Sequence, residues 1–298
     1  MSDDERDPTP VLDTNRLRAL TPARVALGRT GVSLPTRARL DFDRCHALAR
    51  DAVHARLNSA ALAAEIESGI RPEVLQLHSA AASRAEYLQR PDLGRRLNEA
   101  SRAVLGDQPT DGVDVALVIA DGLSALAVER HAPALLNELL PRLSDYHLAP
   151  ICIVEQGRVA IGDEIGQALN AQITVVLIGE RPGLSSPDSL GVYITWEPRL
   201  GRVDAERNCI SNIRAEGLSY AQAAGQLGAI LGQARRLRLT GVELNRSREK
   251  SLCGAGDHEG VAQGLKRLRK NSLSGVRAPK NRAAGVKTPR VGGPYRHD

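Results

Sequence analysis

Four short apolar runs, each closed by a turn signal, constrain this chain more than anything else in its sequence. They are "VDVALVIADG" (113–122), "APICIVEQG" (149–157), "AQITVVLIGE" (171–180) and "LGVYITWEP" (190–198). Each is of strand length, rich in Val and Ile, and too unbroken to have one wet and one dry face. Strands of that kind are buried on both sides. Helical patterns occupy 123–143, the region near 164–170, 205–213 and 220–237. Strands alternating with helices predict an α/β fold, with a mostly parallel, Rossmann-like sheet covered on both faces. Aromatic residues make up only 2% of the chain, so its core must be built from Leu, Ile, Val and Ala.

The residues ahead of these runs read as helical. A helix is expected over 40–57. The stretch 72–105 is expected to hold a second helix, a turn at Arg90-Pro91-Asp92 and a third helix. The chain of 298 residues thus divides into a flexible N-terminus (1–22), a helical N-terminal region (23–108), an α/β domain (109–244) and a disordered basic tail (245–298). The tail is rich in Gly, Lys, Arg, Ser and Pro and has no apolar period, apart from a short basic helical pattern at 261–270.

Charge belongs to that tail. Residues 245–298 carry 13 Lys/Arg against 4 Asp/Glu, a net of +9, whereas the whole chain carries +5. The first 244 residues are therefore mildly acidic, at −4. A nucleic-acid role for the body loses its main support, and no aromatics interleave with the basic residues of the tail. No run approaches the ~18 apolar residues of a membrane span. The start, "MSDDERDPTP", has no apolar segment of export type. The four cysteines (Cys45, Cys152, Cys209, Cys253) are widely spaced and read as reduced thiols of a cytoplasmic protein.

Ligands of open α/β sheets sit beyond the carboxyl ends of the strands. No GxGxxG follows any of the runs and no GxxxxGK[ST] occurs, which disfavours a standard dinucleotide or nucleoside triphosphate site. Other residues reach the expected place. Arg158 and the Val159 backbone leave the second run. Glu180 closes the third, beside Arg181, in the polar stretch "GERPGLSSPDS" (179–189). Cys209 falls in the first two turns of the helix expected after the fourth run, with Asp204 as its N-cap. From spacing alone each also has an ordinary reading: a plain loop, a lone structural carboxylate, a small buried thiol. "SDYHLAP" (144–150) echoes the DxHxxG pattern that supplies a His ligand to cobalt in some corrinoid proteins. It lacks the Gly and precedes a strand, so no metal ligand is assigned to His147.

Taken together, several of these segments resemble the small (light) subunit of ethanolamine ammonia-lyase. They are "IADGLSALAV", "VEQGRVAIGDEIG", "LIGERPGLSSPDSLGVYITWEPRLG", "DAERNCISNIR" and "EGLSYAQAAGQLGAILGQAR". "GRTGVSLPTRARLDF" and "YLQRPDLGRRL" are similar to the same family, and the resemblance runs over about 23–244. It implies an adenosylcobalamin-dependent lyase that converts ethanolamine to acetaldehyde and ammonia by radical chemistry. It also implies a hetero-oligomer in which the large subunit holds ethanolamine and the catalytic residues, and this chain holds none. By motif, the cobalamin contacts fall on Val159, Glu180 and Cys209, within a cobalamin-contacting domain at 109–244. Arg158 is expected to neutralise the cofactor phosphate or a partner carboxylate. The missing DxHxxG implies a cobalamin that keeps its own base on cobalt. Location is expected in the cytoplasm, free or inside a bacterial microcompartment. The acidic, Pro-broken start differs from the amphipathic packaging helix of some relatives, and since family members generally end soon after "LTGVELN" (239–245), no counterpart of 246–298 is expected. The competing reading is a stand-alone α/β binding module whose basic tail contacts nucleic acid.

Overall fold

The computed structural model describes residues 14–21, 23–70, 73–108 and 112–247. The basic tail from 248 onward, its expected helix at 261–270 and Cys253 lie outside the described residues, as do residues 1–13. In chain order the elements are α1 (Thr14–Ala19), α2 (Thr36–His54), α3 (Ser59–Ile70), β1 (Val74–His78), α4 (Arg84–Gln89), α5 (Glu99–Gly106) and β2 (Val115–Ala120). There follow α6 (Ala125–Leu139), β3 (Ile151–Glu155), α7 (Ile161–Ala168), β4 (Ile173–Gly179), β5 (Leu190–Trp196), β6 (Arg207–Ile213) and α8 (Tyr220–Leu237).

The fold is mixed α/β around one six-stranded sheet, in the order β1-β3-β2-β4-β5-β6. The pairings among β1, β3, β2 and β4 are parallel, and those of β4 with β5 and β5 with β6 are antiparallel. The four apolar runs are β2, β3, β4 and β5, and every residue of β2 and β4 is buried. Alternate residues of β2 feed two cores. Val115, Leu117 and Ile119 pack with α3, α6 and α8, while Ala116, Val118 and Ala120 pack with α5 and α7. The first core continues across β5 and β6 through Val192, Ile194, Ile210 and Ile213. The second takes only Tyr193 from β5 and nothing from β6. One face of the sheet thus packs on an apolar core throughout, whereas on the other the apolar core reaches β5 only at Tyr193 and does not reach β6.

Two expected elements are different. Residues 205–213, expected as a helix, form a 3-10 turn (Asp204–Glu206) and strand β6. Asp204 caps nothing there. The segment is short, and its apolar Ile210 and Ile213 fit a helix face as readily as an edge strand. Pairing with β5 decides the matter, with a register shift between Leu190 and Val192 and a left-handed Asn212 (φ 61°) near the end. Within the region expected to be helical, Val74–His78 is strand β1, paired with β3. Its Leu and Gln favour helix intrinsically, and sheet pairing overrides that weak preference. By contrast α8 begins and ends where the sequence indicates. The Ser219 hydroxyl accepts from the Gln222 N–H and the Gln222 side chain reaches back, a full capping box.

Two close approaches shape the ends of the central strands. Gly122 (φ 55°) begins the β2–α6 turn, and a Cβ there would lie 2.3 Å from the Gly179 carbonyl oxygen. The Leu123 N–H donates to that same oxygen at 3.0 Å. Gly162 and Gly166, one turn apart, let α7 lie directly on β4. Added Cβ atoms would meet Val176 at 2.4 Å and Thr174 at 2.0 Å.

Candidate functional site

The loop that leaves β3 is held from three sides. Gln156 is left-handed (φ 56°) and turns the chain. The Asp121 carboxylate accepts the Gly157 N–H at 3.0 Å, and the Tyr87 hydroxyl donates to the Gly157 carbonyl at 3.1 Å. The Arg158 N–H donates to the Gly94 carbonyl at 2.7 Å. That last bond recruits the turn "RPDLGRR" of the N-terminal region. Behind the loop lies buried Arg84, which donates to the carbonyls of Val53 (2.7 Å) and Gly122 (2.9 Å), to Asp121 (3.2 Å) and to Gln156 (3.3 Å). Burial pushes the Asp121 carboxyl up to about 6, against the pull of Arg84 and of the Gln156 and Gly157 N–H groups.

Glu180 follows β4. Its side chain lies over Gly191, where a Cβ would come within 2.9 Å of Oε1. Oε2 accepts from the Ser189 hydroxyl and, at 3.2 Å, from the Asn212 N–H of β6. Glu180 therefore clamps the 180–189 loop to β6 through one oxygen. The loop is fastened again at its far end, where the Ser124 hydroxyl donates to the Pro187 carbonyl at 2.9 Å.

Cys209 is on β6, opposite Tyr193 of β5, and is exposed; its sulfur is 3.2 Å from the Ser211 hydroxyl. The expected buried helical thiol is thus corrected to an exposed thiol on a strand. Directly opposed residues share a face. That face is the one left bare beside α7. Burial, then the Cys209 thiol, raise the Tyr193 phenol above its ordinary range.

Two adjoining hollows lie between these parts. One, of about 420 Å³, is lined by Tyr87, Gly122, Val159, Ile178, Glu180 and Tyr193. The other, of about 350 Å³, is lined by Arg95, Ala160, Arg202, Asp204 and Arg207. Arg158 and Val159 line both. Together they form a trough at the carboxyl end of β3 and β4, along the bare edge of the sheet. Val159 and Glu180 meet in the larger hollow, and Cys209 is one strand further out. The smaller hollow rests on a buried pair in which Arg207 donates to both oxygens of Asp163, at 2.6 and 2.7 Å. Removing one partner of such a pair costs about 3–5 kcal/mol, because the other is left charged and dry. Tyr87 and Tyr193 did not stand out in the sequence. Tyr193 is a hydroxyl inside an otherwise apolar run, which is the one signal that could have marked it.

His147 is far from this trough. It precedes β3, and its ring Nδ1 meets the Gly112 carbonyl at 2.7 Å. Among the described residues no group of three or more His, Cys, Asp or Glu could hold a metal ion, and no helix is long and apolar enough to cross a membrane.

Fold and site together define a mixed α/β protein with an open trough at the carboxyl ends of its central strands. Comparison with known proteins makes this particular. The family model described as ethanolamine ammonia-lyase light chain (EutC) matches residues 13–245, and the chain belongs to that family, the small subunits of a lyase. A relative from Xanthomonas campestris pv. campestris (strain B100), named ethanolamine ammonia-lyase small subunit, is 57% identical over 244 residues, covering 80% of this chain and 89% of its own. Relatives of the same name from Pseudomonas fluorescens (strain Pf0-1) and Azotobacter vinelandii (strain DJ / ATCC BAA-1303) are 58% and 55% identical, over 233 and 265 residues. These cover 76% and 86% of this chain, and 85% and 97% of their own lengths.

Proposed function

We propose that this chain is the cofactor-holding small subunit of an adenosylcobalamin-dependent ethanolamine ammonia-lyase, converting ethanolamine to acetaldehyde and ammonia with a large subunit. The observation that carries the reading is the trough, whose polar atoms are not all used internally. Glu180 spends Oε2 on Ser189 and Asn212, and Arg158 has a buried Nε without an acceptor. A corrin is a broad apolar disc fringed by amides. An apolar floor with a few fixed donors and acceptors suits it, as in small-molecule sites generally. Val159, Ile178 and the Tyr193 ring supply the floor. Either hollow alone is small for such a disc, so a second protein surface is needed to enclose it.

In this reading Val159 contacts the corrin, Glu180 accepts from an amide N–H through Oε1, and Cys209 meets the rim from β6. When bound, the cofactor supplies the radical that begins the reaction. This chain binds and orients it and keeps water from its edge; the large subunit holds ethanolamine. The sheet is read as a Rossmann-like variant ended by an antiparallel pair. The complex is read as cytoplasmic, free or inside a bacterial microcompartment.

Co-expression with the large subunit, purification through a tag on this chain and an ethanolamine deamination assay test the proposal. Activity is expected only with both chains and adenosylcobalamin. Glu180→Ala is expected to weaken cobalamin binding in the complex by about tenfold, the scale of one lost charge-assisted bond. Glu180→Gln, which keeps an acceptor, is expected to lose less. A complex that forms but binds no cobalamin would sink the cofactor role.

A further inference from the structure

Arg158 differs from the other arginines along the trough. Arg207 is neutralised by Asp163, and Arg202 bonds Glu206. Arg95 and Arg181 are exposed, where water screens their charge. Arg158 is half-buried, and its Nε is shut off from solvent without an acceptor. It makes no ion pair with a described residue. Its guanidinium carbon lies 4.3 Å from the centre of the Tyr87 ring, and that of Arg84 lies 4.8 Å from the same ring. Tyr87 is itself fully buried.

The packing leaves this arrangement little freedom. A Cβ on Gly94 would lie 2.8 Å from the Tyr87 ring and 3.0 Å from Arg158 Cγ, so the turn is pressed against both. The Gly94 carbonyl holds the Arg158 backbone N–H. A guanidinium stacked and pinned in this way has lost its rotamer freedom before a ligand arrives, which favours binding. A half-dry cation with no counter-ion of its own gains most from an anion. A neutral amide would leave its charge uncompensated.

We infer that Arg158 is the residue with which this trough selects corrinoids bearing a phosphodiester, and that Tyr87 is its positioning residue. The inference rests on the cofactor reading above. Cobalamin carries one singly charged phosphodiester, in the loop that links its base to the corrin. Cobinamide is the same corrin without phosphodiester or base. A fork of N–H donors shared by both hollows suits the two free oxygens of that group.

The test is binding, not turnover. Cyanocobalamin and dicyanocobinamide are titrated into the two-subunit complex by equilibrium dialysis, with detection by absorbance. Arg158→Gln is expected to weaken cyanocobalamin about 10- to 100-fold, the range for losing a bond to a charged group, and to leave dicyanocobinamide unchanged. Tyr87→Leu should weaken cyanocobalamin in the same sense, and should add nothing in an Arg158→Gln background. Tyr87→Phe keeps the ring but gives up the hydroxyl bond to Gly157, and should lose clearly less than Tyr87→Leu. Equal losses for both corrinoids in Arg158→Gln would overturn the inference, as would weakened subunit assembly, which would assign Arg158 to a partner carboxylate. A wild-type complex that binds neither corrinoid would remove the cofactor reading itself. One that binds both with Arg158→Gln silent would remove only the selection.

Discussion

Asp121 shows how a residue outside the ligand surface governs the rim. It accepts from Gly157 and Arg84, and through them it fixes the loop that carries Arg158 and Val159. Its carboxyl, pushed up to about 6 by burial, lies above the unfolded range near 4. The folded state therefore holds this proton more tightly than the unfolded state does. Asp121's contribution is fully present below pH about 4 and is lost as pH rises through about 6. Denaturant titrations at pH 4 and 7 should show wild type losing roughly 2 kcal/mol more than Asp121→Asn over that interval. Equal losses would mean that the Asp121 carboxyl titrates in the folded protein as it does in the unfolded chain. None of this was legible from "IADG" alone. The position of Glu180 was legible, because a carboxylate that ends a buried run stands at a strand terminus. Its bond to Asn212 was not, since that depends on where β6 falls.

Among the elements, β6 separates what local pattern can reveal from what pairing decides. The runs that became β2 to β5 were readable because burial on both faces leaves little choice of residue. Helix α8 was readable because its capping box and length agree. "RNCISNI" has neither advantage, and its burial alternates irregularly along an edge. The outcome is measurable at Cys209. Cys45 and Cys152 are buried, and burial alone pushes the Cys152 thiol up to about 12. In a Cys253→Ser background, one thiol of the isolated chain should react rapidly with a maleimide, and Cys209→Ser should abolish that reaction. Slow labelling at all three sites would contradict an exposed strand. Assembly with the large subunit and cobalamin should then protect Cys209, if the trough is enclosed as proposed.

At the scale of the whole molecule, coverage of the sheet is lopsided. Helices α3, α6 and α8 serve one core that extends to β6, whereas α5 and α7 serve a core that stops at Tyr193. The proposed partner and cofactor occupy what is left open. The family model matches residues 13–245, and every residue that lines the trough falls inside that span. A chain truncated after Ser247 should keep its cobalamin affinity in the complex within about twofold, a difference under 0.5 kcal/mol. A large loss on truncation would give the tail a part in the site and revive a binding role for its charge.

The outer edge of β6 has one more consequence, and it concerns biosynthesis. An unpaired strand edge can act as a template for another copy, and a chain made ahead of its partner would meet many copies of itself. The register shift between Leu190 and Val192, with left-handed Asn212 beyond it, bends this edge away from the straight ladder that a copy would need. The irregularity thus guards an unassembled chain against stacking on its own kind.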